Sequence, residues 1–171
     1  MSFSNKVVIV VGASSGIGES CVSSLLNLKS TVYGIDFEKS RISAKNYKHF
    51  ILNILDQHVL KNAIEDICKT HNRIDGLINC LKIQNYNQPF YNLSLKEWGN
   101  KLSNNLKTIF LSSKYVSSSM IESRKGKIVN ISFIKTTVKS ERTEYSLSKT
   151  EISDLTKTLA LELSPFSIQV N

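Results

Sequence analysis

A run of β-branched residues that ends at a glycine constrains the fold more than any other feature of this chain. The stretch VVIVVGASSGIGES begins with the apolar residues Val7–Val11 and continues through Gly12, Gly16 and Gly18. A short apolar run of this kind is typical of a strand buried on both faces, and glycine permits the tight turn that leads into a helix. The stretch therefore predicts a strand, a glycine-rich turn and a helix, in that order.

The same alternation of elements continues along the chain. Further short apolar runs predict strands over Thr31–Ile35, Phe50–Leu52, Leu77–Ile78, Lys127–Ile131 and Ile168–Val170. Apolar residues at helical spacing predict helices over Ile17–Leu28, Gln57–Thr70, Leu95–Glu122 and Tyr145–Leu163. The polar connection after the second strand predicts only a turn or two of helix. Right-handed crossovers then predict a doubly wound, Rossmann-like α/β fold with about six parallel strands.

Composition excludes several other classes of protein. The 171 residues are 41% hydrophobic with only seven glycines and two prolines, which is typical of a single globular domain. The net charge of +8 comes from 22 basic residues that are spread along the chain, so we expect no nucleic-acid partner. The N-terminal apolar run is too short for a signal sequence or a membrane span, which predicts a cytoplasmic protein. The cysteines and histidines lack metal-ligand spacing, so we expect no metal.

The spacing of the three glycines, G-x-x-x-G-x-G, indicates a binding chemistry. Without side chains the backbone can approach a pyrophosphate, whose charge then lies against the free N–H groups of the following helix. The letters GASSG also fit the G-x-S-x-G pattern of hydrolase nucleophiles, but this alternative leaves Gly18 unexplained. We therefore expect a dinucleotide to bind at Gly12, Ser14, Ser15, Gly16, Ile17 and Gly18.

Asp36 ends the second predicted strand, 18 residues beyond Gly18. A carboxylate at this place can accept hydrogen bonds from both hydroxyls of an adenosine ribose and repels a 2′-phosphate. The sequence therefore predicts NAD rather than NADP. The alternative is an aspartate that only caps a strand end.

The stretch YSLSK places Tyr145 and Lys149 four residues apart, on one face of a predicted helix. On many helices such a pair is an ordinary solvated surface. A neighbouring ammonium, however, favours the phenolate form of a tyrosine and makes it a better base near neutral pH. The pair is therefore a candidate for proton transfer.

Together these stretches resemble the short-chain dehydrogenase/reductase family over essentially the whole chain. VGASSGIG resembles the family's T-G-x-x-x-G-x-G turn, and LNILD, with Asn53 and Ile54, resembles its adenine-binding segment. The stretch LINCLK, with Asn79, resembles the family's N-N-A-G strand end. The stretch SNNLKTIF contains Asn105 at the place of the family's helix asparagine. The stretch GKIVNIS fits the family's fifth strand.

The resemblance implies an NAD-dependent oxidoreductase that transfers a hydride between the nicotinamide and a small secondary alcohol or ketone. It implies that Tyr145 exchanges a proton with the substrate oxygen, that Lys149 supports the phenolate and binds the nicotinamide ribose, and that Asn105 holds a water in the proton path. It also implies a homo-oligomer that pairs through the two long helices.

Three departures from the family pattern favour a different function. Strand register puts Phe133 at the place of the family's catalytic serine, whereas the usual spacing of 13 residues before Tyr145 gives Ser132. Leu81 and Lys82 stand where small residues are usual. The chain also stops at the sixth strand, so we expect a single domain over residues 1–171 that lacks the usual last strand and lid. The alternative function is a nucleotide-binding or interaction module without turnover.

Overall fold

The computed structural model describes residues 3–80, 90–92, 94–132 and 143–171. Its strands are β1 Val7–Val11, β2 Thr31–Asp36, β3 Tyr47–Ile51, β4 Gly76–Asn79, β5 Gly126–Asn130 and β6 Ile168–Val170. Its helices are α1 Gly16–Asn27, α2 Gln57–His71, α3 Leu95–Glu122 and α4 Thr143–Leu163, with short 3-10 turns at Phe90–Asn92 and Ser164–Phe166. Strands and helices thus alternate as the hydrophobic pattern predicts.

The strands form one sheet in the order β3-β2-β1-β4-β5-β6, and every neighbouring pair is parallel. β1 lies at the centre, where Val11 is in register with Ile35 on one side and with Asn79 on the other. The chain order reverses at β1, so the crevice for a ligand lies at the carboxyl ends of β1 and β4. This confirms the predicted doubly wound parallel sheet.

The β2–β3 half of the sheet departs from the sequence-based expectation. Residues 37–46 form no helix at all, so the predicted turn or two of helix is wrong. The Ser40 hydroxyl accepts a hydrogen bond from the Ile42 N–H at 3.0 Å, a local bond that competes with helix formation. β3 begins at Tyr47, before the predicted start at Phe50. It is an edge strand that is half-exposed along its length, so its sequence lacks the long apolar run by which a buried strand is predicted.

The sheet separates two apolar clusters. Residues of β1 that point to one face pack with α2, α3 and α4, around Ile9, Leu60 and Met120. Residues that point to the other face, Val8 and Val10, pack with α1. No helix in the described part of the chain is both long and apolar enough to cross a membrane.

Polar residues determine where the helices begin and end. The Asp56 carboxylate accepts hydrogen bonds from the first backbone N–H groups of α2, which ends at Asn72 in the left-handed region with φ of 54°. Ser94 and Glu97 form a reciprocal capping box at the start of α3. These residues mark where α2 begins and ends and where α3 begins.

A cluster of charges lies at the amino ends of the central strands. The Asp75 carboxylate accepts hydrogen bonds from Lys6 Nζ at 2.7 Å and from the Val7 N–H at 3.0 Å, and Arg73 Nε lies 3.2 Å away. Burial alone would raise the pKa of Asp75, but the bonds from Lys6 and Val7 outweigh it and hold the pKa below its ordinary value. The ionised carboxylate therefore stabilises the fold.

We predict that Asp75→Asn lowers the free energy of unfolding at pH 7 by about 2 kcal/mol, because an amide cannot accept from both donors. A depressed pKa stabilises the fold above the unfolded-state value of about 4 and loses that effect as pH falls through the folded-state value. Urea unfolding at pH 7 and pH 2 should therefore show the difference between wild type and variant shrinking in acid. Asp66→Asn, in an exposed pair with Lys69, is the matched control, with a cost of about 0.5 kcal/mol or less. A difference that persists at pH 2 would contradict the assignment.

Candidate cofactor and active site

The three glycines of the turn after β1 meet two steric requirements. Gly12 and Gly16 lie in the left-handed region, with φ of 79° and 57°. Gly18 has ordinary dihedral angles, but a methyl group there would overlap the carbonyl oxygen of Gly12. The Gly12 N–H donates to the Ile35 carbonyl at 2.9 Å, which anchors the turn to β2. The turn can therefore exist only with this glycine spacing.

The turn delivers the chain into the start of α1. Ser15 is the N-cap residue in an extended conformation, and among the described residues its side chain makes no capping hydrogen bond. The first N–H groups of any α-helix have no partner within the helix, and they carry the positive end of its dipole. Ile17 is 58% exposed beside them. This geometry fits a pyrophosphate, as the sequence predicts for residues 12 to 18.

Asp36 and Ser14 are bonded to each other. Oδ2 of Asp36 accepts hydrogen bonds from the Ser14 N–H at 2.9 Å and from the Ser14 hydroxyl at 2.6 Å. Oδ1 accepts from the N–H groups of Phe37 at 2.7 Å and Glu38 at 3.3 Å. These bonds orient the carboxylate and tie the glycine turn to the end of β2. Sequence reasoning named both residues as cofactor ligands but missed the bond between them.

The predicted adenine-binding residues are partly engaged within the protein. Asn53 Oδ1 accepts a hydrogen bond from the Leu55 N–H at 3.0 Å, and the Ile54 side chain is only 2% exposed in the core. The Ile54 side chain is therefore part of the core. Phe37 and Ile51, which sequence reasoning missed, are 57% and 54% exposed at the carboxyl ends of β2 and β3. An apolar residue directly after Asp36, where a solvated turn is expected, was the available signal.

Asn79 turns its side chain away from solvent. It is fully buried, Oδ1 accepts a hydrogen bond from the Ser112 hydroxyl at 2.8 Å, and Nδ2 donates to Asn130 Oδ1 at 2.8 Å. Asn130 Nδ2 in turn donates to Thr156 Oγ1 at 2.9 Å. The Asn79 side chain is therefore committed to partners within the protein.

The predicted catalytic positions lie on two helices that pack against each other. Position 105 lies in α3, and positions 145 and 149 lie in the first two turns of α4. Because α4 follows β5, its first turns lie at the carboxyl edge of the sheet, the same edge as the glycine turn. Outside the described residues lie Leu81, Lys82 and Phe133, and also the side chains of Asn105, Tyr145 and Lys149.

The sequence profile of the short chain dehydrogenase family matches residues 6–171. The chain belongs to the short-chain dehydrogenase family. It is therefore an oxidoreductase of a family that acts on small molecules with NAD or NADP as cofactor. The family and fold predicted from the sequence are both confirmed.

Relatives and solved structures agree with this membership. A 3-oxoacyl-[acyl-carrier-protein] reductase of Buchnera aphidicola is 34% identical, over the whole of this chain and 72% of the relative. A short-chain dehydrogenase from Leptospira borgpetersenii, solved with bound NAD+, is 27% identical with a TM-score of 0.91, over 99% of this chain and 70% of its own. The aldohexose dehydrogenase of Thermoplasma acidophilum is 30% identical with a TM-score of 0.85. The match covers 99% of this chain and 65% of that enzyme.

Ser132 of this short-chain dehydrogenase lies two residues beyond β5. The ladder continues past the strand, since the Ile131 N–H donates to the Asn79 carbonyl at 2.9 Å. Asn130 points toward α4, whereas Ile131 packs against the cluster on the α1 face. Alternation along an extended chain then directs Ser132 to the α4 side, where it is half-buried.

Cys80 is buried beside Cys21. Burial, and after it the neighbouring Cys21 thiol, raises the pKa of Cys80 to about 12, so this thiol stays protonated and is a poor nucleophile. Within the described ranges, no group of three or more histidine, cysteine, aspartate or glutamate side chains could hold a metal.

We predict that Gly18→Ala weakens NADH binding by at least about tenfold, because the new methyl group displaces the Gly12 carbonyl and opens the turn. Fluorescence titration with NADH measures the affinity, and circular dichroism checks that the fold is kept. Gly99→Ala on α3 is the matched control, because among the described residues its methyl group meets open space. Equal affinities of the two variants would show that the turn does not hold the nucleotide.

Proposed function

We propose that this short-chain dehydrogenase is an NAD-dependent oxidoreductase that transfers a hydride between the nicotinamide and a secondary alcohol or its ketone. The observation that carries the proposal is the bond between Asp36 and Ser14. It joins the glycine turn, which suits a pyrophosphate, to a carboxylate that suits the adjoining ribose. Hydrogen bonds thus hold the two proposed recognition elements together.

Preference for NAD follows from the charge on Asp36. Its oxygens are oriented by donors from two segments, so the carboxylate keeps its position when a ligand arrives. A ribose hydroxyl can donate to such a carboxylate, whereas a 2′-phosphate would bring a second negative charge against it. The exposed side chains of Phe37 and Ile51 provide an apolar surface nearby for an adenine ring. NAD+ in the Leptospira relative supports the same preference.

The proton chemistry is assigned to the two long helices. When bound, NAD supplies the nicotinamide carbon that accepts or gives the hydride. Tyr145 exchanges the proton with the substrate oxygen, and the ammonium of Lys149 favours its phenolate form. Asn105 holds a water that connects this proton to solvent. Ser132 hydrogen-bonds the substrate oxygen, and its direction toward α4 supports it over Phe133 for this role.

The substrate class is a small ketone or the matching alcohol. The Buchnera relative is a 3-oxoacyl-[acyl-carrier-protein] reductase, so a 3-oxoacyl thioester is the first ketone to test. The net charge of +8 favours association with an anionic substrate or carrier. Both features point to reduction of a ketone that carries negative charge elsewhere in the molecule.

We predict that Asp36→Ala weakens NADH binding by about tenfold or more while NADPH binding weakens less, because the ribose acceptor and the repulsion of a 2′-phosphate are lost together. Ser14→Ala is the matched variant: it removes one bond to Asp36 but keeps the carboxylate, so we expect a smaller loss and an unchanged preference. Fluorescence titrations with NADH and NADPH measure the ratio of the two affinities in each variant. An unchanged preference in Asp36→Ala would refute the role in cofactor choice.

We predict that Tyr145→Phe lowers turnover by at least about a hundredfold while NADH binding stays within about twofold, since only the proton path is removed. The assay follows NADH at 340 nm with 3-oxoacyl thioesters, and with secondary alcohols and NAD+ at alkaline pH. Tyr115→Phe, a half-buried tyrosine on α3, is the control. Equal rates in wild type and Tyr145→Phe would overturn the catalytic assignment, and binding without turnover of any substrate would favour a nucleotide-binding module.

A further inference from the structure

Four polar side chains form a continuous chain of hydrogen bonds from α3 through the sheet to α4. The Ser112 hydroxyl donates to Asn79 Oδ1 at 2.8 Å, Asn79 Nδ2 donates to Asn130 Oδ1 at 2.8 Å, and Asn130 Nδ2 donates to Thr156 Oγ1 at 2.9 Å. The Thr156 hydroxyl then donates to the Ile152 carbonyl at 2.7 Å. Each side chain donates to the next member, so every bond runs in the direction from Ser112 to Ile152. The members lie on α3, β4, β5 and α4.

Three members of this hydrogen-bond chain are buried, and Thr156 is half-buried. Ser112 and Asn79 are fully inaccessible, and Asn130 is 8% exposed. The single proton of Ser112 has alternatives within its own helix, the carbonyls of Thr108 at 2.9 Å and Ile109 at 3.1 Å. The two asparagines satisfy each other across β4 and β5. Loss of one member therefore leaves a buried donor or acceptor without its partner, which costs more than the bond itself contributed.

The terminal members share helix faces with the proposed catalytic positions. Ser112 lies seven residues after position 105, and Thr156 lies seven after position 149 and eleven after position 145. At about 100° per residue, each of these separations returns to within about 20° of the same direction. A rotation of α3 or α4 that breaks this hydrogen-bond chain therefore also rotates the proposed catalytic positions by the same angle.

Apolar packing alone does not set this rotation. Ile109, Val116 and Met120 of α3 and Ile152 of α4 are buried, but dispersion contacts have no direction and tolerate small rotations of a helix. Hydrogen bonds between amides and hydroxyls require alignment within a few tens of degrees. The series of hydrogen bonds therefore constrains the rotation of α3 and α4 in a way that the surrounding apolar core does not.

We propose that the Ser112–Asn79–Asn130–Thr156 chain is one cooperative positioning network, which sets the rotation of α3 and α4 against β4 and β5 and so aligns the catalytic positions with the cofactor crevice. The network itself is independent of the activity. Its catalytic consequence rests on the proposed function.

A double-mutant cycle tests whether the chain acts as one unit. Ser112→Ala, Thr156→Val and the double variant are compared by thermal unfolding, with Ser117→Ala and Thr158→Val as controls whose hydroxyls bond within their own helices. We expect the double variant to lose less in melting temperature than the sum of the single losses, because breaking one end already loosens the other. The control pair should be additive. Additive losses in Ser112→Ala and Thr156→Val would overturn the network.

Kinetics test the positioning role. We expect Thr156→Val to lower kcat about tenfold with KM and NADH affinity within about twofold, Thr156→Ser to restore most of the rate, and Thr158→Val to behave as wild type. Equal kcat values for Thr156→Val and Thr158→Val in an active enzyme would overturn the positioning role. A wild-type enzyme that binds NADH but reduces no ketone would instead overturn the proposed function, and the unfolding cycle would still decide the network.

Discussion

The close approach of Gly18 to the carbonyl of Gly12 is the contact on which the site depends. It allows α1 to begin directly above the end of β1, the central and fully buried strand of the sheet. With a side chain at either end of this contact the turn would widen, and the free N–H groups of α1 would no longer face the crevice. The same turn carries Ser14 to Asp36, so the geometry at β1 also sets the geometry at the end of β2.

Buried polar groups connect the elements that apolar packing brings together. The bond between Ser14 and Asp36 joins the glycine turn to β2. The hydrogen bonds from Ser112 to Thr156 join α3 to α4. At the opposite edge of the sheet, the cluster around Asp75 connects the segments before β1 and β4. Hydrophobic burial is non-directional, whereas each of these bonds specifies one relative placement. The protein thus combines an apolar core that supplies stability with a few polar contacts that supply alignment.

Local pattern predicted the bounds of β1 and β6 and misplaced β3. The bounds of β1 agree because a parallel strand buried on both faces leaves a short apolar run in the sequence. β3 lies at the edge, contains the polar pair Lys48 and His49, and was placed too late. The segment after Asp36 has no helix because its serine forms a local hydrogen bond. The segment also lacks apolar residues at helical spacing, whose burial would offset the entropy lost when a helix forms.

The sequence by itself determined the family, the doubly wound sheet, the glycine turn and the place of Asp36 at the end of β2, because these depend on local spacing and residue type. Only the tertiary structure decided which polar side chains pair with each other. Asn79 was expected beside the cofactor, yet it bonds Ser112 and Asn130, which lie 33 and 51 residues away along the chain. Such partners meet only after the sheet has formed, since hydrogen-bond pairing across layers depends on register and crossover geometry and leaves no periodic signal in the sequence.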